Sequence, residues 1–377
     1  MFYSIFFISL FLIFYAYVGY PISLSLIRKR NSRSNVKDEV LPFVSIIITA
    51  YNEEKRMREK IENTLDIDYP SEKLQVIIAS DGSTDGTNDI ISKYLDKGIE
   101  FLPIQERGGK ERAQKKAIEK ARGEILVFTD VATILDPVGV EQIVSNFSDP
   151  GIGCVSSEDR VIVEDDEPGG EGLYVRYEMW LRRLESRVNT LVGLSGSFFA
   201  ARKEVCKDLI EDLDSDFCVL LTSIKMGLKG ITDPEAIGYY RDLSEGKHEF
   251  ERKIRTVIRG ITAFFRHTEL LNAKRYGLFS YQYFCHKLLR WLVPFFLITL
   301  FFSNFFLSGR SLQYFFLFLL QVTFYVAGIL SIKGKVSHDN WVTKVPMYFL
   351  TVNSSILVAW WKYLKGERVV MWKPSER

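Results

Sequence analysis

The chain has 377 residues, 47% of them apolar, and its 49 basic and 47 acidic side chains leave a formal charge of only +2. That balance argues against nucleic acid as a partner, because a protein that reads a polyanion carries a clustered basic excess. Cys154, Cys206, Cys218 and Cys285 are scattered without a C-x-x-C pair, and His248, His267, His286 and His338 stand at no ligand spacing to them. A zinc site is therefore not expected, and a reduced, cytosolic setting is.

Charge is absent from four stretches: residues 1–27, 291–309, 311–332 and 345–361 contain no Asp, Glu, Lys or Arg. Each approaches or exceeds the roughly 20 residues that cross the hydrocarbon core. The first has no basic leading region and no small-residue cleavage pattern, so residues 1–27 read as a transmembrane anchor and not a signal peptide. Arg28, Lys29, Arg30, Arg33 and Lys37 follow in a basic linker, residues 28–41. Positive flanks stay inside, so the sequence predicts a multi-pass protein of the cell membrane with an outward N-terminus and a cytoplasmic central domain. Lys333, Lys335 and Lys344 put the loop before the last run on the inner side as well, whereas a complete final span would carry Lys362, Lys365, Arg368, Lys373 and Arg377 outside. A short or re-entrant last segment, or a different earlier one, removes that conflict. No run carries an ionisable residue to line a path, which argues against a channel or transporter.

Residues 42–280 read as the cytoplasmic domain. Residues 44–49 are rich in β-branched side chains, as a buried parallel strand is. Residues 53–65 follow with helical spacing at Met57, Ile61 and Leu65. The pattern repeats with a strand over 74–79, a turn over 80–86, a helix to about 95, a short strand near Phe101, a helix over 110–121 and a strand over 125–128. Alternating β and α elements predict an α/β fold with a doubly wound, mostly parallel sheet. Beyond Pro137 come one or two strands in 151–166, a helix over 173–188 carrying Arg176, Arg182, Arg183 and Arg187, a small apolar segment over 194–202, an acidic one over 208–216 and a basic helix over 249–265. Residues 281–291, aromatic with Lys287 and Arg290, are expected to lie at the membrane interface and to open a C-terminal membrane region, 281–377.

Three strands end in polar residues: Tyr51-Asn52-Glu53, Ser80-Asp81-Gly82-Ser83 and Thr129-Asp130. Ligands of open parallel sheets bind beyond the carboxyl ends of the strands, so these three ends describe one site. Residues 81–92 begin like a calcium loop but carry Ser92 at the twelfth position and follow a strand, which rules that motif out. Asp81 can instead accept a nucleobase N-H, beside Tyr51 as a wall and Glu53 or Asn52 as a ribose partner. Arg107-Gly108-Gly109-Lys110 is not a Walker loop, since Glu111 follows the lysine, but a lysine at a helix start suits a diphosphate. Asp130 can hold Mg²⁺ or Mn²⁺ between two phosphates. Bland alternatives exist for each: a capped turn for 80–87, solvated helix charge for Lys110 and an N-cap for Asp130.

In order and spacing, VSIIITAYNEE, IIASDGSTDGT and GGKERAQKKAIEKARGEILVFTDVATILDP resemble the nucleotide-sugar domain of family 2 glycosyltransferases. The rest resembles its membrane-embedded branch, which includes cellulose, chitin and hyaluronan synthases and bacterial exopolysaccharide enzymes. The resemblance implies a GT-A-like fold with one N-terminal and about three C-terminal transmembrane helices. It also implies that Tyr51, Glu53 and Asp81 hold uridine or another nucleoside, Lys110 the diphosphate and Asp130 the metal. Asp216, in Ser215-Asp216-Phe217, matches the catalytic base, with Asp214 as runner-up, and Gly196 borders the acceptor channel. Two positions depart from the pattern. Asp130-Val131-Ala132 lacks the second carboxylate of the family's Asp-x-Asp, and Arg252-Lys253-Ile254-Arg255-Thr256 keeps the arginine of Gln-x-x-Arg-Trp but not the tryptophan.

The expected reaction is one inverting displacement at an anomeric carbon, from a nucleotide-sugar donor to a glycan or lipid-linked acceptor, with Arg255 and Lys110 on the leaving diphosphate and Asp216 as base. The competing expectation is a membrane scaffold subunit that keeps the nucleotide pocket without turnover.

Overall fold

The computed structural model describes residues 1–27, 41–162, 170–207, 215–241, 246–334 and 341–368. The runner-up base Asp214, the linker cations and the closing 369–377 segment lie outside the described residues.

The domain is built on one sheet of eight strands in the order β3-β2-β1-β4-β7-β6-β8-β5. The strands are β1 (Val44–Ala50), β2 (Leu74–Asp81), β3 (Ile99–Ile104), β4 (Ile125–Asp130), β5 (Ile134–Leu135), β6 (Ile152–Ile162), β7 (Phe198–Arg202) and β8 (Lys229–Arg241). β3, β2, β1 and β4 run parallel, while β7 pairs antiparallel with both β4 and β6. Register aligns the three polar ends, with Ala50 opposite Ser80 and Thr49 opposite Asp130.

Side-chain alternation gives β1 two buried faces. Ile46 and Ile48 pack with Met57 and Ile61 of helix α2 (Glu54–Leu65; α1 is the membrane helix Phe2–Leu26), while Ile47 packs with Ala113 and Ala117 of α3 (Lys110–Lys120). This is the doubly wound arrangement expected from the βα alternation. The inward face of α2 differs from the sequence expectation: Met57, Lys60, Ile61 and Thr64 are buried, and Leu65 is 37% exposed. Lys60 is 0% exposed and donates to Thr129 Oγ1 at 2.9 Å and to the Thr133 carbonyl at 2.6 Å.

The remaining long helices are α4 (Gly170–Val188), α5 (Ser215–Lys225), α6 (Gly246–Arg266), α7 (Leu278–Ser308), α8 (Leu312–Ile332) and α9 (Trp341–Leu364). Among the described residues, α1, α7, α8 and all but the first residue of α9 are long and apolar enough to cross a membrane. α1 lies against α7, where Ser9 and Thr299 hydroxyls meet at 2.8 Å. Residues 281–291, expected to lie at the membrane interface, lie within the first turns of α7 and turn polar groups inward. Glu185 of α4 takes the Tyr20 hydroxyl at 2.5 Å and lies 2.6 Å from His286 Nδ1, and Glu178 pairs with Arg290 at 2.6 Å. Internal partners for these groups are what allow the segment to be buried.

α9 follows α6 along its length. Tyr348 receives Lys253 over its ring at 4.9 Å, Ala359 packs with Ile254 and Ile258, and Phe265 meets Trp360 and Tyr363. The Trp360 indole also donates to the Trp291 carbonyl at 2.9 Å.

Burial pushes the Lys60 ammonium down from 10.5 to about 7, against the pull of Asp130. The unfolded chain therefore binds the extra proton between pH 7 and 10.5, so this residue makes stability rise with pH across that window and contributes no such gain below it. Lys60→Met is expected to flatten the rise in thermal midpoint between these pH values, followed by intrinsic fluorescence of the detergent-solubilised protein. A slope equal to that of the unsubstituted protein would refute the assignment.

Candidate active site

The polar strand ends form the mouth of the site. Asn52, in a left-handed conformation with φ 53°, crosses from β1 to the loop after β2: its side-chain oxygen accepts from Thr84 N at 2.8 Å, and its backbone N-H donates to Ser83 Oγ at 3.1 Å. Asp81 is 2% exposed, and its two carboxylate oxygens accept the N-H groups of Gly108 and Gly109 at 2.8 and 2.7 Å. It therefore holds the loop before α3 as well as standing at the strand end expected to meet a base. Gly82 is required where the two loops touch, since it has φ +68° and a Cβ there would stand 2.9 Å from Arg107 N. Arg107 stacks on Tyr51, its guanidinium 3.6 Å from the ring centroid.

Glu53 is buried beneath Arg56, which donates to it through Nε at 2.9 Å. Burial raises its carboxyl from 4.5 to about 7 in spite of Arg56, with Asp130 and Asp85 adding to the rise.

Deeper in, a cavity of about 590 Å³ gathers Lys110, Asp130, Gly196, Asp216 and Arg255 among its lining residues. Tyr51, Glu53 and Asp81 are not part of that lining; they stand at the ends of the neighbouring strands. Lys110, the first residue of α3, reaches Asp130 Oδ1 at 2.6 Å and the Gly196 carbonyl at 3.3 Å. Burial works to lower the Lys110 ammonium, but Asp130, with Glu111 and Asp216 beyond it, overrides this and holds it above its usual value. Asp216, in the first turn of α5, faces the same loop, and a Cβ at Gly196 would stand 3.4 Å from its Oδ2.

Arg255 belongs to α6, where Arg252, Arg255 and Arg259 recur at intervals of three and four and so share one face. Arg259 makes a close ion pair with Glu111 of α3, which is 2% exposed. That contact docks the basic helix beside Lys110. Burial lowers the Arg255 guanidinium from its usual value, with Glu251 opposing and Arg252 and Arg259 adding to the effect; an arginine remains charged all the same.

Two participants were missed in the sequence. Asp159 of β6 accepts Ser195 Oγ at 2.6 Å and Ser197 Oγ at 2.9 Å, and so fixes the loop that carries Gly196. Lys60 lies behind the Thr129–Thr133 turn, and its only signal was a lysine on the i, i+3, i+4, i+7 face shared with Met57, Ile61 and Thr64.

As for a divalent ion, no group of three or more His, Cys, Asp or Glu side chains comes together among the described residues. Asp130 offers one carboxylate, 32% exposed and facing the cavity, and its present counter-charge is Lys110. This fits an ion that takes few protein ligands and draws the rest from diphosphate oxygens and water, which is the habit of Mg²⁺ and similar ions.

The Glu53 carboxyl keeps its proton to about pH 7 in the fold but loses it near 4.5 when unfolded, so stability falls as pH rises through that window. Glu53→Gln should remove this contribution, on the order of 1–3 kcal/mol, and flatten the decline in thermal midpoint from pH 4.5 to 7. Parallel declines in both proteins would show that Glu53 does not titrate there.

The family model for glycosyl transferase family 2 matches residues 45–210, the stretch that supplies β1 to β7. Over 133 residues the chain is 29% identical to a poly-beta-1,6-N-acetyl-D-glucosamine synthase of Staphylococcus aureus, covering 35% of this chain and 32% of that protein. Over 177 residues it is 29% identical to the glycosyltransferase AglE of Haloferax volcanii, covering 46% and 55%. The matched regions thus span a third to about half the length of these relatives. Among solved structures, the mannosyltransferase PcManGT from Pyrobaculum calidifontis, in complex with GDP-Man and Mn²⁺, superposes with a TM-score of 0.77 at 21% identity, over 98% of this chain and 100% of that one. That likeness concerns the fold, and it extends through the membrane helices. Residues 45–210 thus form a domain that matches the family 2 glycosyltransferase model, on a GT-A sheet whose polar strand ends converge.

Proposed function

We propose that the protein transfers a sugar, with inversion, from a nucleoside diphosphate donor to a lipid-linked or glycan acceptor at the membrane, in the making of a cell-surface or extracellular glycan. The observation that carries this reading is the extent of one cavity. It is lined by Lys110, Asp130, Asp216 and Arg255 and also by Tyr17 of α1, Trp291 of α7, and Tyr348 and Ile356 of α9. An acceptor arriving from the bilayer therefore reaches the candidate base without leaving the protein.

The acceptor hydroxyl attacks the anomeric carbon as the bond from that carbon to the diphosphate oxygen breaks. Its proton passes to Asp216, and the nucleoside diphosphate departs with both electrons of the broken bond. Lys110 and Arg255 face the developing negative charge in a partly enclosed site, where fixed cations are worth more than in water. A divalent ion held by Asp130 would neutralise diphosphate charge when bound. Tyr51 and Asp81 serve the nucleoside, which requires Arg107 to yield its place over the Tyr51 ring or to cover the base from the other side. Gly196, next to Asp216, leaves room for the acceptor.

Asp216→Asn is expected to lower kcat by about 10²- to 10⁴-fold while nucleoside diphosphate still binds, measured with a panel of UDP- and GDP-sugars on the purified protein. Near-normal turnover would remove Asp216 from the mechanism. Absence of turnover with any donor in the unsubstituted protein would favour a nucleotide-binding scaffold. Arg255→Ala should weaken product inhibition by about tenfold or more.

The packing of α9 along α6 supports a membrane arrangement in which α1, α7 and α8 cross and α9 lies on the membrane face of the domain. Lys362, Lys365 and Arg368 then stay on the domain side, as their charge favours. A single cysteine introduced at Glu367 should react with an impermeant maleimide from the same side of sealed vesicles as one introduced at the exposed domain residue Glu100. Labelling from opposite sides would mean that α9 crosses.

A further inference from the structure

A second, separate hollow of about 400 Å³ lies where α1 ends against α4, lined by Ser25, Trp180, Arg183, Leu184 and Arg187. None of these residues lines the cavity that holds Asp216. The corner is rigidly built: Tyr20 and Leu24 of α1 pack with Leu181, Leu184 and Val188 of α4, and the Tyr20 hydroxyl is anchored on Glu185.

Its chemistry is that of a membrane interface. Arg176, Trp180, Arg183 and Arg187 follow one another at intervals of four, three and four, and so form one face of α4. Arg176 and Arg187 are exposed, and Trp180 is 44% exposed. Arg183 shares its charge with Glu158 at 3.1 Å, while Arg187 makes no hydrogen bond or ion pair with a described residue. On the α1 side, Val18, Ile22 and Leu26 are exposed at intervals of four and lead along the helix to the last turn, where Ser25 stands.

We propose that this corner binds one anionic phospholipid from the leaflet that meets the catalytic domain. The phosphate sits between Arg187 and the free edge of the Arg183 guanidinium, whose planar forks suit phosphate oxygens. Trp180 lies at headgroup depth, where amphipathic aromatic rings are favoured. An acyl chain follows Val18, Ile22 and Leu26. The apolar stripe on α1 is what selects a lipid phosphate over a free one. By fixing the end of α1 against α4, the lipid ties the first membrane helix to the element that borders the reaction cavity.

The test uses the full chain in detergent, titrated with dioleoylphosphatidylglycerol, with dioleoylphosphatidylcholine and with inorganic phosphate, and read by native mass spectrometry for retained lipid and by thermal midpoint. Phosphatidylglycerol should be retained at one per chain and raise the midpoint, whereas phosphatidylcholine and inorganic phosphate should do neither. Arg187→Gln should weaken phosphatidylglycerol about fivefold, and the Arg183→Gln, Arg187→Gln pair by more, as expected for cations at an anionic surface. Trp180→Ala should weaken it as well, while Arg122→Gln, on the exposed Glu100 pair, should leave it unchanged. Equal retention by Arg187→Gln, equal loss in Arg122→Gln, or a midpoint raised as much by inorganic phosphate would each overturn the site. Transfer activity does not enter these readouts, so their failure is distinct from failure of the reaction proposed above.

Discussion

The contact between Lys110 and Asp130 organises the rest of the site, because it joins the start of α3 to the end of β4 across the crevice mouth at 2.6 Å. Each partner is supported from behind. Lys110 belongs to a helix whose next residue, Glu111, is buried against Arg259 of α6, and Asp130 ends a turn clamped by the buried Lys60. An ion pair in so enclosed a place is costly to desolvate, and removing one member strands the other charge. Such a pair is better suited to a site where a third charge arrives than to one that only needs stability. The diphosphate of the proposed donor would bring that charge, drawing Lys110 to itself and freeing Asp130 for a cation or for the solvent edge.

The two departures from the family pattern take on structural meaning in this setting. Where a second carboxylate would stand, Ala132 offers none, and the side chain buried below the turn is that of Lys60. The turn is therefore less negative than an Asp-x-Asp turn. Cationic residues dominate the far wall too, with Arg252, Arg255 and Arg259 along α6. In the proposed reaction, side chains would carry more of the leaving-group charge and a metal correspondingly less.

Much of this was readable in the sequence, for a specific reason. β1, β2 and β4 are short apolar runs ending in polar residues, which places Asp81 and Asp130 at strand ends from sequence alone, and the register sets those ends side by side. Asp216 and Arg255 were reached through resemblance, since nothing local separates them from other charged residues near helix starts and on helix faces. The misses follow from contacts that no periodicity encodes. Lys60 sits on the inner face of α2 because two oxygens from β4 and the turn after it satisfy its ammonium. Asp159 reaches the Gly196 loop from a strand far away in sequence. Residues 281–291 mix aromatic and basic side chains, and the sequence does not show that Glu178 and Glu185 on another helix are the internal partners of Arg290 and His286.

Those internal partners also tie the apolar helices to the domain. Glu178 and Glu185 lie seven residues apart on α4 and hold Arg290 and His286 of α7, while Glu185 also holds Tyr20 of α1. Both membrane helices are thereby fastened to one helix of the domain through buried polar bonds, whose geometry is far more directional than apolar packing. α4 also contributes Glu178 and Arg182 to the reaction cavity. α8 packs on α7 and α9, and α9 in turn touches α4. α4 thus joins two helices long and apolar enough to cross a membrane to the wall of the cavity proposed to receive the acceptor.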